Sequence, residues 1–250
     1  MKSRWRFLWA ALVVLSCVAP VVGAAVAGGC GSSAQTVSAG ASWLRSTPAA
    51  PVLSADRGLV VFDGCSLVAD AGVATADGMP EQVMSLLPSD LQLRNLGVAG
   101  QTTQQMAADA ASQVDPLYCK ARAENVLVVW EGTNDLIYGV SPRFDSAQAY
   151  RHLADYCRAR RRAGFTVVIC SVLPRAAGAD FAAARRDLNA RLRRGWPQFA
   201  DAIADVGADM TIGPEGAQWD RTYYRDGVHL TPAGYAIVAR HVATAVKSVL

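Results

Sequence analysis

The chain has 250 residues with 52% hydrophobic content and a formal net charge of +3, ample for a packed core of one α/β domain or two small ones. Its small excess of base comes from the first residues: Lys2, Arg4 and Arg6 are the charged residues of 1–29, and beyond them basic and acidic side chains balance. That balance excludes a nucleic-acid footprint in the net charge.

The three basic residues precede an apolar run from Phe7 to about Ala27, broken by Pro20 and followed by small residues. This is the shape of a secretory signal peptide over 1–29. No comparable run recurs, so no transmembrane helix is expected in the mature protein. Ala25-Val-Ala27 fits a small-x-small cleavage site, whereas Ala27-Gly-Gly-Cys30 fits a bacterial lipobox, with Cys30 as the lipidated first residue. The protein is therefore expected to be exported: secreted, periplasmic, or held at the cell envelope by a lipid on Cys30, its one expected membrane attachment. Residues 30–57, rich in Ser, Ala, Gly and Pro, read as a flexible linker, and 58–250 as the folded domain.

Within that domain the periodicity alternates. Leu59–Asp63 is a short apolar run and a first strand; Pro80–Leu87 reads as helix, Leu91–Leu96 as strand and Thr102–Leu117 as helix. Asn125–Trp130 is a strand apolar throughout, Asp145–Ala163 a helix, and Phe165–Val172 a second buried strand. Asp180–Arg194 is an amphipathic helix and Ala202–Val206 a weak strand. Thr231-Pro232, a hydroxyl cap followed by a residue with no N–H to satisfy, opens a last helix over Pro232–Val249. About five strands alternating with helices, several apolar along their whole length, predict a parallel sheet covered on both faces. Such sheets carry their sites in loops beyond the carboxyl ends of the strands.

Those loops hold a consistent set of groups. After the first strand, Asp63-Gly64-Cys65-Ser66-Leu67 offers a hydroxyl at a sharp turn. After the second, Gly97-Val-Ala-Gly100 lets a backbone N–H approach a ligand closely; it is neither a P-loop nor G-x-G-x-x-G, which excludes the usual nucleotide fingerprints. After the third, Gly132-Thr133-Asn134-Asp135 offers a side-chain amide. Before the last helix, Asp226 precedes His229 by three residues, a carboxylate able to fix an imidazole's tautomer. Nucleophile, base, orienter and oxyanion donors are the inventory of acyl transfer.

These blocks, Gly64-Cys-Ser66-Leu67, Gly97 in NLGVAG, Gly132-Thr-Asn134-Asp135 and Asp226-x-x-His229, resemble in their order the four blocks of the SGNH, or GDSL-type, hydrolases. The resemblance spans residues 59–240. It implies a three-layer α/β/α, flavodoxin-like fold and metal-free, cofactor-free ester hydrolysis. By motif position Ser66 is the nucleophile, His229 the general base and then acid, and Asp226 its orienter; the Ser66 and Gly97 N–H groups and the Asn134 amide form the oxyanion hole. One position departs from the pattern: the family usually has Asp immediately before its serine, and here that residue is Cys65.

The expected substrate is a small-molecule or carbohydrate ester with a short acyl group, with lysophospholipid or thioester hydrolysis as the alternative. Residues 68–79, 136–145 and 207–225, which should shape the pocket, contain no deciding feature. Cys65 keeps open a second class of reading, a catalytically silent domain that binds envelope glycans or acyl chains. Cys65 as nucleophile is the weaker assignment, since it is displaced by one residue from the motif serine. The remaining cysteines form no C-x-x-C pair, against a zinc or thioredoxin-type site. Cys119 with Cys157 is the disulfide expected of an exported protein, and Cys170 a buried small hydrophobe. The arginines at 158–162 and 185–194 are expected on solvated helix faces, and His152 and His241 to face solvent or be satisfied. Trp219, Tyr223 and Tyr224 either line a pocket or pack.

Overall fold

The computed structural model describes residues 57–250; the signal segment, Cys30 and nearly all of the linker lie outside the described residues. Five strands, β1 (Gly58–Gly64), β2 (Leu91–Asn95), β3 (Glu124–Trp130), β4 (Thr166–Cys170) and β5 (Ala202–Ala204), form one parallel sheet in the order β2-β1-β3-β4-β5. Helices α1 (Met79–Met84) and α5 (Pro232–Lys247) cover one face; α2 (Thr103–Gln113), α3 (Ser146–Arg162) and α4 (Gly178–Gly195) cover the other.

The strands read as unbroken apolar runs because both faces are buried, and the period-two alternation shows which face each residue serves. Val60, Phe62, Val126, Val128 and Val168 join the core under α1 and α5. Their neighbours Leu59, Val61, Leu127, Val129 and Val167 join the core under α2, α3 and α4. Strand order reverses direction between β1 and β3, which pair from Gly58↔Glu124 to Gly64↔Trp130. The loops beyond Gly64 and Trp130 therefore diverge from a common edge and leave a crevice there.

Several boundaries follow from proline. α1 closes at Met84 through tightened bonds, Leu86 N–H to Val83 O and Leu87 N–H to Met84 O, ahead of Pro88. The predicted helix 102–117 ends at Gln113, and Asp115–Leu117 turns as a 3₁₀ segment around Pro116, which has no N–H to continue the ladder. α5 opens as expected, with Thr231 Oγ1 accepting from Gly234 N–H at 3.2 Å. None of the described helices is long and apolar enough to cross a membrane.

Three expectations are corrected. Cys157 does not pair with Cys119: it is a free, fully buried thiol on the core-facing stripe of α3, while Cys119 is in a disulfide with another residue. Arg160 and Arg185 are not on solvated faces. Arg160 pairs with Asp115 at 2.7 Å. Arg185, 4% exposed, reaches the carbonyls of Val172 and Gly213 and the Glu215 carboxylate, the last at 2.6 Å. Position 185 falls on α4's buried stripe with Phe181, Ala184, Leu188 and Leu192, so its guanidinium must find partners inside. His241 is satisfied by Asp209 at 2.9 Å, and Tyr224 packs, its buried hydroxyl donating to Ile212 O at 2.8 Å.

Candidate active site

At the end of β1 the chain must turn against its neighbour: a Cβ on Gly64 would collide with the Trp130 carbonyl, so glycine is required by close approach. The next residues wind into a single helical turn, with Val68 and Ala69 N–H donating to Cys65 O at 2.9 and 3.0 Å. Ser66 starts that turn, half-buried, and among the described residues its N–H donates to no protein group. Its neighbour Cys65 points down into the core, fully buried.

The loop before α5 brings His229 to this hydroxyl. Asp226 Oδ1 accepts the backbone N–H groups of Val228 and His229 at 3.0 and 2.8 Å, which fixes the loop. Asp226 Oδ2 lies 2.7 Å from His229 Nδ1, and His229 Nε2 lies 3.0 Å from Ser66 Oγ. The hydrogen bonds from His229 and Val228 outweigh the opposing effect of burial and hold the Asp226 carboxyl down at about 2. It therefore stays ionised at neutral pH and selects the His229 tautomer with hydrogen on Nδ1, leaving Nε2 free to accept the Ser66 proton.

On the other side of the crevice Asn134 follows β3. Its amide donates to the Gln101 carbonyl at 3.0 Å, and its Oδ1 accepts from Arg175 at 3.3 Å, so the NH₂ side is fixed by partners on both flanks. Gly97 is packed so that a Cβ would run into the Ala69 backbone; its N–H donates to Asn95 Oδ1 at 2.9 Å. Of the three expected oxyanion donors, Ser66 N–H and the Asn134 amide retain free capacity, and Gly97 N–H is bonded within its own loop.

Residues the sequence reading did not single out lie under this site. Glu131, 1% exposed, accepts the Asn134 N–H at 2.8 Å. Its carboxyl is pushed up to about 8, first by burial and then by the charge of Asp135, with the nearby Cys65 thiol acting in the opposite direction. Asp135 is itself raised by burial and is anchored by the Thr103 N–H at 3.0 Å. Burial, followed by the Glu131 charge, lifts the Cys65 thiol well above its ordinary value, so Cys65 is a neutral packing group and not a nucleophile. The signal for Glu131 was its place directly before Gly132, at the carboxyl end of a buried strand. Arg175 occupies the same kind of position after β4. Among the described residues no group of three or more His, Cys, Asp or Glu side chains could hold a metal ion.

The profile of the GDSL-like Lipase/Acylhydrolase family matches residues 64–237. The chain belongs to this family. As a GDSL-type hydrolase it acts on ester bonds, and its solved relatives share its fold. A GDSL-family lipolytic protein from Veillonella parvula superposes with a TM-score of 0.60 at 18% identity, covering 75% of this chain and 97% of that one. A GDSL-like lipase from Bacteroides thetaiotaomicron does so with 0.60 at 22%, covering 77% and 89%. A psychrotrophic esterase from Pseudoalteromonas sp., solved inhibited by monoethylphosphonate, gives 0.56 at 12%, covering 77% and 98%. No curated protein sequence matched this GDSL-type chain.

Proposed function

We propose that the protein is an exported serine esterase that cleaves small, short-acyl esters through Ser66, His229 and Asp226. The observation that carries this reading is the unbroken hydrogen-bond chain from Asp226 through His229 to Ser66 Oγ, at 2.7 and 3.0 Å. In the first step Ser66 Oγ attacks the ester carbonyl carbon as its proton moves to His229 Nε2. Asp226 stabilises the imidazolium through Nδ1–H. The negative charge that develops on the carbonyl oxygen is met by Ser66 N–H and the Asn134 amide, with Gly97 N–H joining if it exchanges Asn95 for the oxyanion. Collapse of the tetrahedral species expels the alcohol oxygen, which takes the proton from His229, and leaves an acyl-Ser66 ester. Water, deprotonated by His229, attacks that ester and releases the acid and free Ser66.

Support for a small ester comes from the surroundings. Val98, beside Gly97, and Trp219, beside the Gly227 turn, are exposed apolar side chains at 52% and 60%, enough to flank a short acyl group on the surface. Support for export comes from the basic and then apolar N-terminus.

The test is hydrolysis of p-nitrophenyl acetate, butyrate and longer esters by the full chain beside Ser66→Ala and His229→Ala. Both variants are expected to lose on the order of 10⁴-fold or more in kcat, with the shortest esters preferred by the wild type. A fluorophosphonate should label wild type on Ser66 and not Ser66→Ala. A folded wild type that neither hydrolyses nor labels would refute the serine mechanism; a preference for long chains would refute the short-acyl assignment.

A further inference from the structure

Arg175 lies in the loop between β4 and α4, and this loop touches both sides of the candidate active site. Toward the histidine, Ala176 N–H donates to Gly227 O at 2.8 Å. Toward the loop after β3, Arg175 Nη1 donates to Thr133 Oγ1 at 3.4 Å and to Asn134 Oδ1 at 3.3 Å. The guanidinium carbon lies over the Phe181 ring at 5.9 Å.

Arg175 is a cation without a counter-charge. Arg160 and Arg185, which are buried, each have one: Asp115 at 2.7 Å and Glu215 at 2.6 Å. Arg175 is half-buried, and its hydrogen-bond partners among the described residues are the neutral oxygens of Thr133 and Asn134. Drawing a guanidinium partly out of water without a carboxylate costs free energy. It also leaves the field of the cation uncancelled, next to the amide on which the ester mechanism places negative charge.

The last torsion of an asparagine is broad and roughly two-fold, so its amide can present either oxygen or nitrogen to the crevice. Oxygen there would repel an oxyanion. Arg175 on Oδ1 and the Gln101 carbonyl on Nδ2 select the orientation that presents nitrogen. A cation on the amide oxygen also draws electron density from the nitrogen, which strengthens its remaining N–H as a donor. We propose that Arg175 is a positioning residue for the ester reaction: it orients and polarises the Asn134 amide and acts on the oxyanion only through it. The inference rests on the esterase reading.

The test is a double-mutant cycle in the full chain, with p-nitrophenyl acetate as substrate and wild type, Arg175→Met, Asn134→Ala and the double variant compared. Acylation and deacylation both pass through an oxyanion, so the effect belongs in kcat whichever step limits. Arg175→Met should lower kcat by about ten-fold with KM within about two-fold of wild type. Arg175→Lys, which keeps a cation, should stay within about three-fold. Arg175→Gln, neutral but able to donate, should fall between them and runs the same cycle if the methionine variant folds poorly. In the Asn134→Ala background, removing Arg175 should cost less than about two-fold, since no amide is left to act through. A structural role, felt by the histidine through the Ala176–Gly227 bond, would cost as much with Asn134 absent as with it present, and that result overturns the inference. So does a kcat indifferent to Arg175→Met, or a loss confined to KM, the mark of direct substrate binding. In those cases active wild type leaves the esterase reading standing. Wild type that hydrolyses nothing refutes that reading, and this inference with it.

Discussion

Asp63 lies three residues before Ser66 on β1, and its burial makes a measurable statement about stability. Burial is the largest influence on its carboxyl; the Tyr156 hydroxyl, which donates to Oδ2, and the field of Arg160 work against it, yet the group is raised from 3.8 to about 6. Between those two values the folded chain holds a proton that the unfolded chain has released. Folding is therefore favoured by this group at full strength below about pH 4, and the contribution is lost as pH rises through about 6. Two pH units of difference correspond to about 3 kcal/mol. Asp63→Asn keeps an acceptor for Tyr156 and cannot ionise. Relative to wild type it should therefore be about 3 kcal/mol more stable near pH 8 than near pH 4. The assay is urea unfolding of both proteins across that range, read as the difference between them. Differencing matters because Asp187, Asp205, Asp209 and Asp226 are shifted down and act in the opposite sense, their contributions being lost as pH falls. A mutant-minus-wild-type difference that is flat with pH would refute the claim that burial governs Asp63.

Three further outcomes are expected. Asn134→Ala should lower kcat by about 10²–10³-fold with little change in KM, since the amide acts on charge that exists only in the transition state; a loss under about three-fold would remove it from the oxyanion hole. Arg185→Met should destabilise the protein by about 1–3 kcal/mol in chemical denaturation, because the buried Gly213 carbonyl loses its donor, while Val172 O keeps Asn189 and Glu215, 38% exposed, can turn to water. A cost below about 1 kcal/mol would mean that the loop 213–215 does not depend on the pairing. Cys65, Cys157 and Cys170 are fully buried and their thiols are raised by burial, so Ellman's reagent should leave all three unmodified in native protein and react with them in urea. Rapid labelling of native Cys65 would contradict its neutral, packed state.

What could be read from the sequence, and what could not, divides along physical lines. The sheet was legible because strands buried on both faces must be apolar at every position, and Val126–Val129 allows no other reading. Ser66 and Asn134 were legible as neighbours because they follow the ends of adjacent strands β1 and β3, whereas Asp226 and His229 were marked by their spacing just before α5. Partnered charge was the harder case. Arg185 carries a charge that suggests solvent, and only its register with Phe181 and Leu188 indicates the interior. Cys157 shares a core-facing stripe with Leu153, which argued for a buried thiol more strongly than spacing argued for a disulfide. Glu131 looked like the first residue of a loop, and nothing local reveals that the Asn134 N–H folds back onto it. The π-helical turn Asp135–Gly139 likewise leaves no periodic trace in five residues.

The cysteine before Ser66 is best understood together with Glu131. Position 65 points into the core under α1 and α5, and its thiol lies near Glu131, whose Oε1 receives the Asn134 N–H. Glu131 thus lies between the turn that carries Ser66 and the turn that carries Asn134. An aspartate at 65 would place a third carboxyl beside Glu131 and Asp135, both already raised by burial. Like charges in a desolvated site cannot all ionise, and each forced proton costs stability. A thiol kept neutral fills the same space without that cost beside Glu131, whose carboxyl burial holds up at about 8. The departure at 65 therefore concerns the support beneath the serine and not the reacting atoms. The path from Asp226 through His229 to Ser66 never passes through Cys65, so the substitution gives no reason to read the site as silent.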